Sequence, residues 1–215
     1  AKTKVEDVNH IDIFIMLGLG EEHGEAAIRW TIENLAIEFW MQEDGELKKM
    51  RSFLESKETI FFDGLGRRKG YRFNFSDQHV IKRTLNLQSA STWLCFDSAL
   101  ITCLLAASAR VGALRLLRQP WMQERMVNLM RFIRLGSEIF VLQVRAYTEL
   151  RDEQPAFEST IRGYGGGHGT GIVASKVADR MFRNAFPSGV FHLEQVIEPE
   201  IFLEGLEEEG FWWSG

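Results

Sequence analysis

Cysteine is scarce in this 215-residue chain, with Cys95 and Cys103 its only two. They lie in a segment that reads as helix, where their spacing corresponds to roughly 12 Å of rise. That exceeds the Cα separation a disulfide tolerates, so both are expected as buried free thiols in a reducing, intracellular setting. Long apolar runs are missing too. The uncharged, largely apolar stretch Ser98 to Ala109 has twelve residues, short of the roughly 20 a membrane span requires. The opening AKTKVEDVNHID has no apolar signal segment, and the expectation is a soluble protein. The histidines stand at positions 10, 23, 79, 168 and 192, with no His-x-x-x-His or Cys-x-x-Cys spacing, which argues against a metal site. No cofactor motif is evident.

What is present is an ordinary globular composition, 45 % apolar and 26 % charged, long enough for one domain with a substantial core. Six tryptophans and sixteen phenylalanines are more aromatic material than such a core needs. The net charge of −5 is unevenly spread: residues 1–63 sum to −7, residues 64–151 to +9 and residues 152–215 to −7. An acidic–basic–acidic layout points toward an anionic partner or toward self-association through opposite charges.

Along the chain, GEEHGEAAIRWTIENLAIEFWMQEDG places apolar residues at three- and four-residue steps, predicting an amphipathic helix. ELKKMRSFLESK predicts a second. TIFFDG and YRFNFS flank LGRRKG and read as a β-hairpin, residues 58–76, with a basic tip. Ser76 and Asp77 cap the next helix. From Trp93 to Leu117 the pattern is apolar on every side, as in a helix at the centre of a bundle. Pro120 then starts a long helix running to Pro155, in which Arg134 with Glu138 and Arg145 with Glu149 form i,i+4 pairs. A glycine loop at 162–171 precedes a helix capped by Thr170, and an acidic, aromatic arm spans 198–215. The fold expected is mainly α: a single helical-bundle domain, 1–215, with one hairpin insertion and an extended C-terminal arm.

Three groups of residues could carry function. Arg67, Arg68, Lys69 and Arg72 on the hairpin, Lys82 and Arg83 on the next helix, and Arg110, Arg115, Arg118 and Arg125 around Pro120 predict a continuous basic surface. Arginine suits bidentate phosphate contacts, and interleaved aromatics could stack bases. Gly165, Gly166, Gly167, His168, Gly169 and Thr170 resemble a phosphate cradle at a helix N-terminus. No strand clearly precedes them, however, and the lysine of a GxxxxGKS loop is missing, so a plain linker is the alternative. His168 is the only candidate for catalysis, with no nucleophile near it in sequence. Glu21, Glu22, His23 and Glu25 read as a solvated acidic cap. Phe211, Trp212 and Trp213 form an arm that docks on its own domain or on a neighbouring subunit. The function expected is non-specific nucleic-acid binding, single-stranded RNA above all, by a self-assembling nucleoprotein or viral coat-type protein, homo-oligomeric and without catalysis. The alternatives are a phosphate-ligand enzyme built on the glycine loop and a helical adaptor or matrix-like protein.

Overall fold

The run His10–Leu17, HIDIFIML, is buried along nearly its whole length, the condition of a strand at the centre of a sheet, and it forms β1. The computed structural model describes residues 8–43, 46–61, 64–132, 134–149, 152, 154–183 and 186–215. A hairpin, β2 (Glu38–Glu43) and β3 (Glu46–Arg51), stands apart from the main sheet. A second hairpin, β4 (Ser56–Phe61) and β5 (Gly66–Arg72), belongs to that sheet, followed by β6 (Ser89–Phe96), β7 (Ile139–Tyr147), β8 (Phe157–Tyr164) and β9 (Trp212–Ser214). The seven-stranded order is β4-β5-β6-β1-β7-β8-β9. β1 runs parallel to β6 and antiparallel to β7.

Period-two alternation gives the sheet two distinct faces. Ile11, Ile13 and Ile15 of β1, with Leu94 and Phe96 of β6, meet the helices. These are α1 (Glu25–Ala36), α2 (Asp77–Thr84), α3 (Ala99–Arg110), a 3₁₀ segment (Ala113–Arg118) and α4 (Pro120–Phe132). Farther along the sheet, α5 (Gly166–Arg183) and α7 (Pro199–Glu207), separated by the short α6 (Leu193–Val196), pack on Phe140 and Phe211. The opposite face lies inside a curl. Gln143 of β7 hydrogen-bonds the Ile60 carbonyl and the Thr59 hydroxyl of β4, four strands away in the sheet order. The curl holds Phe14, Met16, Phe61, Trp93, Cys95 and Val141 at one end.

Its other end is polar. Asp12, fully buried, accepts from the Trp93 indole at 2.7 Å, contacts His10 at 3.0 Å and accepts from the Lys57 ammonium. His10 in turn meets Ser89 Oγ at 2.6 Å. Burial alone would raise the Asp12 pKa, but the hydrogen bonds and charges of His10 and Lys57 outweigh it and hold the carboxyl below its usual range. Tyr147 is pushed up to about 12 by burial and by the Asp12 charge.

The architecture is therefore mixed α/β around a curled sheet, and the mainly α-helical bundle expected from the sequence is corrected. Residues 93–96 belong to β6, and the helix starts only at Ala99. The long helix from Pro120 ends by Phe132, and the chain beyond it forms β7. Arg145 consequently pairs across the ladder with Glu158 at 2.6 Å, and Arg134 pairs with Glu22 at 2.9 Å. ELKKMRSFLESK is strand β3, a turn and the start of β4. The 58–76 hairpin is part of the main sheet instead of an insertion. The aromatic arm packs on its own chain: β9 pairs with β8, Phe211 is buried against Phe140, and Trp213 Nε1 donates to Ser159. Both cysteines are free, Cys95 buried on β6 and Cys103 exposed on α3. Among the described residues no helix is long and apolar enough to cross a membrane.

Candidate ligand site

Open sheets bind ligands beyond the carboxyl ends of parallel strands, and β1 and β6 are the parallel pair here. Where they end, two loops meet. Gly18 and Gly20 lie so close to the 136–139 backbone that a Cβ would fall 2.2 Å from the Ser137 carbonyl oxygen or 2.7 Å from that of Gly136. Backbone hydrogen bonds link the loops, Gly20 to Ser137 and Leu135 to Leu19. Asp97, just past β6, fixes the junction by accepting from the Ser137 amide and hydroxyl and from the Ser98 amide. The carboxylate occupies the space beside Gly136, whose φ of +107° suits glycine.

The glycine-rich stretch completes the site, and its conformation differs from the loop expected. β8 runs to Tyr164, Gly165 turns with φ +68°, and α5 begins at Gly166. Gly163 and Gly169 are explained by packing. A Cβ at Gly163 would stand 2.7 Å from the Phe140 ring, and one at Gly169 would stand 3.1 Å from it. A strand does precede the helix, yet the expected phosphate position is taken: the Gly166 amide donates to Glu21 Oε1 at 2.9 Å. A carboxylate from the same chain thus sits where an anion would bind an α-helix N-terminus. His168 and Thr170 are part of α5, where the Thr170 hydroxyl bonds back to the Gly166 carbonyl.

Between α1, α4 and the start of α5 lies a cleft of about 370 Å³. Its floor is formed by the strand ends through Leu17, Leu19, Leu94 and Phe96. One wall is aromatic: Trp30 packs against Phe73 and Phe75 with centroids 5.8 and 5.4 Å apart, and Phe73 and Phe75 are 5.0 Å apart. The titratable groups lining it are Glu21, Glu22 and His23. His23 Nδ1 stands 3.6 Å from Glu21 Oε1, and Glu22 is shared with Arg134. The EEHG stretch that reads as a solvated cap therefore rims a pocket. A second cleft, about 650 Å³, lies between β1, α2 and residues 194–199. Its titratable lining is limited to Glu194 and Glu198, and the rest is mainly aliphatic. Among the described residues no three His, Cys, Asp or Glu side chains converge as metal ligands.

The basic residues divide. Arg72 is buried, donating to Glu55 and Ser91 and stacking over Trp93, so it faces no solvent. Arg67 pairs with Glu58, Lys82 bonds Gln42, and Arg118 donates to the Ala36 carbonyl. Arg68 and Lys69 lie beside α3. Arg83 is exposed on α2, Arg110 ends α3, and Arg115 and Arg118 follow on the 3₁₀ segment. Arg125 covers the exposed Trp121 ring at 5.4 Å.

Compared with protein-family models and with curated proteins, the sequence matches none.

Proposed function

We propose that the chain is a small-molecule binder whose ligand is an apolar or aromatic amine held in the cleft at the ends of β1 and β6. The observation that carries this reading is the joining of an aromatic wall, Trp30 and Phe75 backed by the buried Phe73, to a rim bearing Glu21 and Glu22. Aromatic faces attract organic cations, and a pocket of this size with a few convergent polar groups is the usual form of a ligand site. Phosphorylated ligands suit it poorly, because Glu21 already holds the α5 N-terminus. The test is thermal shift with arylalkyl amines, matched arylalkyl carboxylates and nucleotides. A ligand at about one hundred times its Kd adds about 2.7 kcal/mol, several degrees of Tm for a chain of this size. Amines alone should raise Tm, and Trp30→Ala and Glu21→Gln should each abolish the rise. Stabilisation by nucleotides or carboxylates instead would overturn the reading.

A second reading retains non-specific nucleic-acid binding, supported by Arg125 over the exposed Trp121 and by Arg115 and Arg118 on the 3₁₀ segment that precedes α4. It predicts retention of single-stranded RNA that falls steeply with salt and is weakened by Arg115→Ala with Arg125→Ala. Retention that ignores salt, or none at all, would remove it.

A further inference from the structure

Helix α3 is held by one face only. Thr102, Ala106 and Ala109 are buried toward the sheet, whereas Leu100 and Leu104 are 69 % and 58 % exposed. Val111, just past the helix end, is 80 % exposed. With exposed Cys103 and Ala107 these residues form an apolar stripe at steps of three and four, the spacing by which one helix face presents itself to another helix. The α3 sequence, ALITCLLAASAR, contains no acid.

The surroundings are basic at both ends. Arg67, Arg68 and Lys69 of β5 line a recess of about 70 Å³ together with Ala99 and Cys103. Arg67 is engaged with Glu58, but Arg68 Nε is buried and has no hydrogen-bond partner among the described residues. A buried donor without an acceptor is costly, and the recess beside it is the size of a single carboxylate side chain. Arg110 closes the other end of the stripe, with Arg115 beyond it.

We propose that α3 docks an acidic amphipathic helix from a partner protein. Its leucine-type residues would cover Leu100, Leu104 and Val111, and one of its carboxylates would enter the recess to accept from Arg68. A nucleic-acid strand would neutralise the cations and leave the apolar stripe in water. A lipid surface would cover the stripe, but its headgroup anions, the phosphatidylserine carboxylate among them, lie in one plane and are not held at a fixed spacing from the apolar groups as a glutamate on a helix is. The pairing follows the helix-in-groove mode, with charge setting orientation and association rate more than affinity.

The stripe contains its own reporter. Cys103 is exposed within it, whereas Cys95 is buried and its thiol is pushed up to about 12 by that burial. The probe is a synthetic helix of roughly 18 residues, about 27 Å long, with leucine at i, i+3, i+4 and i+7 and glutamate elsewhere. Added to the full chain at about nine times its Kd, where the bound fraction is about 90 %, it should slow the reaction of Cys103 with dithionitrobenzoate about tenfold. Leu100→Asp should weaken peptide affinity at least about tenfold with an unchanged melting curve, since that side chain is exposed. Should Leu100→Asp disturb the fold, Arg68→Gln provides the second reading and should weaken the peptide, with protection measured against that variant's own peptide-free Cys103 rate, since Arg68 lies beside the thiol. The proposal is overturned by a lack of protection at millimolar peptide. It is equally overturned if a lysine-for-glutamate peptide, single-stranded RNA or 4:1 phosphatidylcholine–phosphatidylserine vesicles protect Cys103 as well as the acidic peptide does.

Discussion

Replacing Asp12 with alanine should be among the most damaging changes in the chain, and the structure gives the size of the effect. The carboxylate is fully buried and receives the Trp93 indole, His10 and Lys57. Trp93 and His10 are themselves buried, so alanine strands both, at about 1–3 kcal/mol for each orphaned group. Lys57 is 38 % exposed and can turn to water, which adds little. The expected loss is about 4 kcal/mol, within the range for breaking a buried ion pair. At about 2–4 °C per kcal/mol for a chain of this length, Tm should fall by roughly 8–16 °C. Asp12→Asn keeps one oxygen for Trp93 and His10 and should lose at most half as much. Acid provides a second check. The folded pKa of Asp12 lies below its unfolded value, so its contribution is complete above about pH 4 and drains away as pH falls through the folded value. The Tm gap between wild type and Asp12→Asn should therefore shrink below about pH 4. An Asp12→Ala protein melting within about 2 °C of wild type, or a gap that is flat with pH, would refute the reasoning.

Gly163→Ala places a Cβ 2.7 Å from the Phe140 ring and should cost about 1–3 kcal/mol by overpacking. Phe140→Leu in the same chain should recover part of that in a urea-melt double-mutant cycle. Phe211→Ala removes a buried ring that seats β9; it should cost about 3 kcal/mol and, by freeing the β8 edge, increase aggregation measured by light scattering. In the native protein a thiol reagent should add one label, at Cys103, and denaturation should release a second at Cys95, as counted by mass spectrometry. Two labels on the folded chain would contradict the burial of β6.

The elements legible in the sequence are those with one wet face. Helix α1 shows its period, and Asp77 and Pro120 mark the starts of α2 and α4; the alternation of Tyr71 and Phe73 with Arg72 points to β5 by coincidence, because Arg72 is itself buried. β1, β6 and β7 are buried on both faces, so their residues lack an alternation to read, and a short apolar run does not distinguish strand from helix. Chance spacing made matters worse at Arg145 and Glu149, whose i,i+4 separation suits a helix although Arg145 reaches Glu158 on the next strand. Glu21 and Gly166 lie 145 positions apart in the chain, and the site they share has no local signature. Its one sequence clue is the glycine density, which reflects room for Phe140 and Phe211 as much as affinity for any ligand.

The order of the sheet also governs how the chain is assembled. β1 is made before either of its partners, which begin at Ser89 and Ile139, so it is an unmatched, oily ribbon at least while the residues between Leu17 and Ser89 are added. Sheets closed by such distant pairings form slowly, and a nascent chain in that condition is a natural client for factors that shield exposed strands until their neighbours arrive.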